Sequence, residues 1–532
     1  VSSALQRIGR SGHAVGAVSR GTLFALHGLD LLQAALTARA VADLEIEEVH
    51  PVRNPLDLLA QIILSMTGLE RWDLQELYNA LRTTVAYHEL PRRHFDLVVE
   101  MLAGRYAEVR LRELEPRVSL DLLENTIRGR RSALPLVYRA GGTIPDRGVY
   151  ELRALRAPGA ADGPAGGRIG ELDEEFVWER RVGDTFNLGT KNWKIVRIDA
   201  RSVEVIPWDG PVTITPFWRA ERPNRDFRSS ERIALALERW SPRLGDPALP
   251  GELQQRHSLE EQAAAALVEF LRRQRTATGG ELPHRHHLLI EHTGGASARA
   301  SARASAGPGS PRRVILHTLW GGQVNQPLAL ALRGAWEREG GAPIEIEADN
   351  ECLMLLLPDT EGFDPRRLLG RVSTPDLEGL LRQSLQASGL FAARFRESAG
   401  RALLLPRSDP RRRVPLWLTR LRSKRLLEAV SRFPDFPIVL ETWRACLEEE
   451  FDLPALRGVL EELQRGEIRI SEARTASPSP FAANSGWLQS NQLVYEQDAV
   501  GPRGARGGPA PETLRELLQS ARGELSDLEH LL

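Results

Sequence analysis

The chain has 532 residues, 42% hydrophobic and 27% charged, a composition of several globular domains with cores of their own rather than of a disordered or fibrous protein. The formal net charge is −1, so no global basic signal marks a nucleic-acid binder, and any such role has to rest on local patches. The two cysteines, Cys352 and Cys446, argue against a disulfide framework or a cysteine metal site, and the lack of a long apolar run or a signal peptide points to the cytoplasm rather than a membrane.

The first stretch is Gln6-Arg7-Ile8-Gly9-Arg10-Ser11-Gly12-His13-Ala14-Val15-Gly16-Ala17-Val18-Ser19-Arg20-Gly21. Two arginines three apart among glycines suit a turn whose backbone and guanidinium forks close on phosphate oxygens. Arginines so placed stabilise charge on a transferring γ-phosphoryl group; the alternative is a Gly/Arg-rich surface loop. A phosphoryl-transfer motor needs a P-loop and an acidic Mg²⁺-holding strand ahead of such arginines. The chain opens at Val1 rather than Met, and no G-x-x-x-x-G-K-[ST] occurs anywhere in it.

A short strand is expected over Thr22–Ala25 and a helix over Asp30–Ala42. Asn54-Pro55 starts another helix, since proline's missing N–H costs nothing in the first turn, and Leu56, Leu59, Ala60 and Ile63 fall at helical spacing. Asp73 caps the next, with Leu74, Leu77 and Leu81 on its apolar face. A third follows Pro91, burying Phe95, Val98, Val99 and Leu102 and exposing Arg92 and Arg93. A shorter helix is expected from Ser119 to Ile127. A hairpin is then expected: Leu136-Val137-Tyr138, a tip of Gly141-Gly142-Thr143-Ile144-Pro145-Asp146-Arg147-Gly148, and Val149–Leu152. Helices followed by a hairpin predict a winged-helix domain. At the tip Ile144 is an apolar side chain among turn formers, either held out to wedge between base pairs or folded back on a neighbouring domain.

Ala157–Gly167 has linker composition. Short strands are expected next, over Phe176–Trp178, Thr185–Leu188, Trp193–Ile198, Val203–Ile206 and Val212–Thr215, a spacing that suits a small barrel. Leu172-Asp173-Glu174-Glu175 resembles an acidic Mg²⁺ motif but lacks the P-loop upstream that would give it meaning. Pro216-Phe217-Trp218-Arg219 closes this part. Trp218 is either a platform for an unpaired base, with Arg219 on a phosphate, or a core aromatic; Trp193 and Trp208 are the competing platforms.

Ser258-Leu259-Glu260-Glu261 is expected as a capping box opening a helix through Leu267, Phe270 and Leu271. His284, His286, His287 and His292 flank or enter an expected strand at Leu288-Leu289-Ile290, which divides them and leaves no convincing metal set. Gly294–Pro311 is of low complexity and is expected to be disordered. Val314–Thr318, a helix over Pro327–Arg338, Ile344–Ala348 and Leu353–Leu357 give a β-α-β-β layer. The last third is expected to be mainly helical, including Pro434–Glu449 and Leu453–Gln464. Arg407–Arg425 carries eight basic residues against one acid, a run that either tracks a nucleic-acid backbone or forms a solvated basic face. Gly501–Pro509 is expected as a linker and Glu512–Leu532 as a closing helix.

Several of these stretches resemble one family. Q-R-x-G-R-x-G at Gln6–Gly12 is similar to the last motif of superfamily two helicases, at the end of their second RecA-like lobe, and H-x-V-G-A-V-S-R-G narrows the likeness to the large helicase-related (Lhr) family. G-T-I-P-D-R-G at Gly142–Gly148, G-E-L-D-E-E-F at Gly170–Phe176, P-F-W at Pro216–Trp218, V-I-L-H-T-L-W-G-G-Q-V-N-Q-P-L-A-L-A-L from Val314 and F-P-D-F-P-I at Phe433–Ile438 follow in order; Trp320 stands where the family usually has phenylalanine. The resemblance implies a multidomain α/β and α+β chain. Residues 1–45 would end the second RecA-like lobe and 46–156 form a winged helix. Residues 168–228 would be a small β-barrel and 229–500 an α/β layer with a helical region, leaving 501–532 as linker and terminal helix.

It further implies the C-terminal part of an ATP-dependent DNA helicase that moves 3′ to 5′, with single-stranded DNA and 3′-tailed duplex as partners and the N-terminal motor lobes missing. Gln6, Arg7 and Arg10 would face ATP, the two arginines catalytically; Ile144, Arg147, Trp218 and Arg219 would handle DNA. ATP and Mg²⁺ would belong to the intact helicase, and this chain alone is expected to bind neither and to be inactive as an ATPase. A non-enzymatic DNA-binding module, or one subunit of a split helicase, is the reading of another class.

Overall fold

The computed structural model describes residues 1–12, 16, 18–143, 149–155, 167–173, 177, 182–188, 191–199, 202–208, 224–293, 312–340, 344–357, 363–386, 388–405 and 416–482. The chain divides into two units. One comprises Val1–His50, Pro223–Gln386 and the segment from Cys446; the other comprises Pro51–Arg222 and Ala387–Ala445.

The first unit opens with helix α1 (Ser2–Ile8) and helix α2 (Gly28–Ala42). Between them the strand expected at Thr22–Ala25 does not form: the segment has no ladder partner among the described residues, and Phe24 and Leu26 are 87% and 91% exposed. A strand needs a hydrogen-bonded neighbour, which this segment lacks here.

The second unit begins with α3 (Leu56–Leu69), whose Leu56, Leu59, Ala60 and Ile63 are fully buried as their spacing requires; the leucines and Ile63 contribute about 1.5–3 kcal/mol each. A two-residue strand β1 (Trp72–Asp73) leads into α4 (Leu74–Arg82), capped by the Asp73 carboxylate, which accepts the N–H groups of Gln75 and Glu76 at 2.7 and 3.0 Å. Helix α5 (Arg92–Ala103) buries Phe95, Val98, Val99 and Leu102; Arg93 is exposed, but Arg92 is half-buried and ion-paired with Asp96. The helix expected over Ser119–Ile127 is instead a hairpin of β2 (Val118–Asp121) and β3 (Thr126–Gly129), with β3 in the middle of a three-stranded sheet beside β1. The Asp121 carboxylate accepts the N–H groups of Leu123 and Glu124, and Asn125 is left-handed at φ 51°, so the backbone turns back where a helix would continue.

Helix–β1–helix–helix–hairpin is a winged helix whose wing is 118–129, earlier in the chain than expected. Leu136-Val137-Tyr138 lies in helix α6 (Ala133–Ala140) rather than in a hairpin strand. Strand β4 (Val149–Ala154) pairs with β5 (Arg168–Asp173) and β8 (Ser202–Pro207), and β6 (Thr185–Leu188) and β7 (Lys191–Ile198) complete a five-stranded sheet in the order β5-β4-β8-β7-β6. Phe186, Trp193, Ile195, Val203 and Val205 fill its core. The expected strands at Phe176–Trp178 and Val212–Thr215 lie outside the described residues, except Val177, which is helical and buried.

Back in the first unit, α7 (Phe227–Trp240), α8 (Leu249–His257) and α9 (Glu261–Ala277) pack with α2 around Leu32, Leu36, Leu237, Leu253, Leu267 and Leu271. The capping box at Ser258 is not made: Ser258 is the left-handed C-cap of α8 at φ 52°, and Glu260 is the uncapped N-cap of α9. After β9 (His287–Thr293), strand β10 (Arg312–His317), helix α10 (Gly322–Arg338), β11 (Glu345–Ala348) and β12 (Cys352–Leu357) give the expected β-α-β-β order. Gly321, which caps α10 at φ 84°, leaves no room for a Cβ, which would fall 2.3 Å from the Ser230 hydroxyl. Helices α11 (Pro365–Leu369) and α12 (Thr374–Leu385) follow.

The second unit then receives α13 (Gly389–Arg401), α14 (Leu416–Val430) and α15 (Pro437–Arg444), the last starting three residues later than expected. In the first unit α16 (Leu453–Gln464) and β13 (Arg469–Thr475) close the described chain; β13 pairs parallel to β9, giving a sheet ordered β11-β12-β10-β9-β13. Pro327 inside α10 cannot donate to the Gln323 carbonyl, and the Asp452 N–H takes that acceptor at 2.9 Å, joining α10 to the start of α16. The linker and terminal helix expected after residue 500, like the loops expected at Ala157–Gly167 and Gly294–Pro311, lie outside the described residues apart from Gly167. Among the described residues no helix is long and apolar enough to cross a membrane.

Candidate functional site

Gln6 and Arg7 lie on the last turn of α1, so the segment enters its glycines from a helix and not from a loop. The Arg10 N–H donates to the Arg7 carbonyl at 3.3 Å and the Ser11 N–H to that of Ile8 at 2.9 Å, continuing the spiral one more turn. Arg7 and Arg10 therefore stand three residues apart on one side of it. Gln6, Arg7 and Arg10 are all exposed, and neither arginine forms an ion pair among the described residues. No acidic residue precedes Asp30 in the chain. The segment is a pair of uncompensated guanidinium groups on a short rigid turn, followed by exposed Val18, Leu23, Phe24 and Leu26. Such a pair suits phosphate oxygens. It offers no carboxylate to Mg²⁺.

The candidate DNA-facing residues Ile144, Arg147, Trp218 and Arg219 lie outside the described residues. What fixes the chain beside Ile144 is visible. The Gly142 N–H donates to the Gln61 side-chain carbonyl at 2.9 Å, and the Gln61 amide donates to the Arg401 carbonyl at 2.8 Å. Of the rival tryptophans, Trp193 is 6% exposed inside the five-stranded sheet. Trp208 is half-buried with the Lys194 ammonium 4.6 Å from its ring centre. In the basic run 407–425, Arg407 and Arg411–Arg413 lie outside the described residues. Arg420 is 7% exposed, so it does not belong to a solvated basic face.

Two buried polar clusters went unnoticed in the sequence. In the second unit Glu441, wholly buried, receives both Nε and Nη2 of Arg444 and the Leu56 N–H, while Arg401 pairs with Asp57 at 2.5 Å. Burial and then the neighbouring Asp57 carboxylate push the Glu441 carboxyl well above the usual range, against the pull of Arg444.

In the first unit Glu291 accepts from the Thr475 and Ser479 hydroxyls, both at 2.6 Å, and from the Ser479 N–H at 2.8 Å, with His317 Nε2 at 2.7 Å. Burial opposes ionisation of Glu291, but His317 and the hydroxyls outweigh it and hold the carboxyl below its ordinary value. Serine, histidine and glutamate together suggest nucleophilic catalysis, yet the geometry is wrong for it. Ser479 donates to the carboxylate itself and all three residues are at most 1% exposed. The cluster fixes the chain after β13 to the sheet.

The histidines segregate as expected: His284 and His286 face Glu238, His287 has the Leu282 carbonyl and the Ser471 hydroxyl, and His292 has Glu472. No group of three potential metal ligands occurs among the described residues.

Residues 39–212 match the family model described as the large helicase-related protein winged helix domain, and residues 282–482 match that described as DEAD/H associated. The chain is 35% identical over 531 residues to an Lhr helicase/uracil glycosylase of Escherichia coli, covering 100% of this chain and 33% of that protein. It is 29% identical to an ATP-dependent helicase Lhr-Core of Methanothermobacter thermautotrophicus, covering 93% of this chain and 55% of that one. It thus spans about a third of the bacterial relative's length and about half of the archaeal one's. The solved Mycobacterium smegmatis helicase Lhr, bound to ssDNA and AMP-PNP, superposes with a TM-score of 0.69 at 31% identity, covering 91% of this chain and 54% of that one.

Proposed function

This chain belongs to the large helicase-related (Lhr) family of helicases, and on that premise we propose that it is the C-terminal portion of an ATP-dependent DNA helicase that moves 3′ to 5′ on single strands and opens duplexes in DNA repair. In this reading residues 1–45 finish a second RecA-like lobe. The exposed strip Val18–Leu26 meets the remainder of that lobe, which would supply the strand partners that Thr22–Ala25 lacks. Gln6, Arg7 and Arg10 face the γ-phosphate of ATP, and the two arginines stabilise charge as the phosphoryl group leaves. Mg²⁺ would be held by the other motor lobes of the intact helicase, no carboxylate preceding Asp30 in this chain. Ile144 with Arg147 and Trp218 with Arg219 take the DNA, one pair as a wedge at the duplex junction and the other as a stacking platform.

The observation that carries this reading is the 35% identity sustained across the whole chain to a helicase about three times its length. The test is strand separation by the complete parent protein on duplexes with a 3′ or a 5′ tail. Unwinding confined to 3′ tails and dependent on ATP supports the reading, and unwinding from 5′ tails alone contradicts it. A second reading is a single-stranded-DNA-binding module or a subunit of a split helicase. An association of this chain with a separate motor polypeptide would decide for the split form.

A further inference from the structure

The winged helix of the second unit does not offer its third helix to a ligand. Helix α5 buries His94, Phe95, Leu97, Val98, Val99, Met101 and Leu102, and α15 packs against it. Just beyond its end Arg105 pairs with Asp435 at 2.7 Å, and the Tyr106 ring meets those of Phe433 and Phe436. Of its charged residues, Arg92 is paired with Asp96, and Glu100 with Arg105. The helix that reads a groove in many winged-helix proteins is here part of the core of its own unit.

The wing is different. In the β2–β3 hairpin Val118 and Ile127 point inward and are buried, so Ser119 and Arg128, paired across the ladder, point outward. One step further along, the Arg130 N–H donates to the Arg117 carbonyl at 2.9 Å, which sets Arg117 opposite Arg130 on that same outward face. Two like charges face each other across the hairpin, with a third two residues along. Such an arrangement is destabilising unless an anion lies on it.

The nearby acids leave most of that face uncovered: Glu115 acts on Arg117, and Asp121, on the same outward face, has its carboxylate accepting the Leu123 and Glu124 N–H groups. From Asn125 to Pro145 there are four arginines and no acid, and none of Arg117, Arg128, Arg130 and Arg131 forms an ion pair among the described residues. Glu124, the acid at the tip, is taken by Arg71. Arg117 is half-buried, its Nε without a partner. Burial weakens its hold on its proton, which Glu115 partly restores, while Arg112 adds to the loss. At the far end of the hairpin Leu122 and Leu123 are 83% and 99% exposed, fixed there by the Asp121 turn.

We propose that this arginine face of the wing is a docking surface for the sugar-phosphate backbone of double-stranded DNA, the duplex arm of a tailed substrate. It rests on the reading that this chain works on DNA, and adds a contact for duplex to the candidates for single strands. The exposed Arg128, Arg130 and Arg131, at or near strand spacing, without an ion pair among the described residues and flanked by an apolar tip, fit a regular row of phosphates beside a groove. They neither fill a pocket nor match a single small anion.

The test is a titration of this chain, wild type and R128Q/R130Q, against a labelled 3′-tailed duplex and against its single strand, across a range of salt. The variant is expected to lose about tenfold or more in affinity for the duplex, with a salt slope shallower by about two, one for each phosphate contact removed. Its affinity for the single strand should stay within about twofold. Its melting temperature should be unchanged or raised, since a repulsive pair is relieved; a purely structural role would lower it.

Unchanged duplex affinity, or an equal loss on both DNA forms, overturns the proposal. So does tighter binding of the face to polyglutamate than to duplex at equal charge, which would assign it to an acidic protein. A wild-type chain that binds single strands but no duplex overturns this proposal and leaves the proposed function standing. One that binds neither overturns both.

Discussion

Ser11 and Arg20 tie the arginine segment back on itself: the Ser11 side-chain oxygen accepts the Arg20 N–H at 3.2 Å, and the carbonyls of Ile8 and Arg20 lie 2.7 and 3.1 Å away for its one proton. Ser19 adds a hydroxyl bond to the Ser11 carbonyl at 2.7 Å. The residue next to Arg10 is therefore held at both ends of the segment, while the guanidinium itself stays free in solvent.

In the complete helicase, Arg10→Ala and Arg7→Ala are each expected to lower ATP turnover on the order of a thousandfold, with DNA affinity largely kept. Steady-state ATPase assays beside DNA titrations check this. Parallel loss of both would make the arginines structural.

Trp218→Ala is expected to weaken single-strand binding by about 1–3 kcal/mol, the range for base–aromatic stacking, without altering the salt slope. Trp193→Ala should instead lower the melting temperature, at a cost of about 3–5 kcal/mol, because Trp193 fills the five-stranded sheet. Melts and titrations at several salt concentrations separate the two. A Trp218 variant that melts as early as the Trp193 variant, yet binds normally when folded, would put Trp218 in a core.

Long amphipathic helices and the β-α-β-β layer were legible because their periodicity is repeated over many residues. Short elements were not. Leu120, Leu123 and Ile127 fall at helical spacing, but the Asp121 side chain and the left-handed Asn125 turn the backbone into a hairpin. Leu136-Val137-Tyr138 is an apolar triplet that periodicity cannot assign, and it is helical because α6 packs on α3. Strand β13 is an edge strand with polar side chains on both faces, so no alternation announces it. The site divides in the same way. The arginine segment is a candidate that its motif alone marks, whereas the proposed arginine face of the wing depends on a ladder register that no spacing reveals.

The Glu441 carboxyl, raised by burial and by Asp57, makes the second unit's stability depend on pH. A carboxyl raised on folding keeps its proton in the native state where the unfolded chain has lost it. Its stabilising share is present at acid pH and is lost as pH rises through the folded pKa. Exchange of the Leu56 amide, which donates to Glu441, should therefore quicken with pH beyond the intrinsic rate. Glu441→Gln should flatten that trend. Arg444→Met should cost about 3–5 kcal/mol at neutral pH and less in acid.

Glu291 has the opposite sign. Its carboxyl is lowered on folding, so its contribution is present above the ordinary carboxylate range and is lost as pH falls through the folded value. Protection of the amides of β13 should collapse in acid, and Glu291→Gln should reduce that pH dependence. Acid-resistant protection in the unmodified chain would contradict the assignment.

The most direct test combines two readings on one set of samples: binding of a labelled single strand to this chain, and ATP hydrolysis in the same tubes. Saturable binding that weakens with salt is expected, with no DNA-stimulated turnover at any occupancy. Turnover that Arg10→Ala abolishes, or the absence of any single-strand binding, would contradict this expectation.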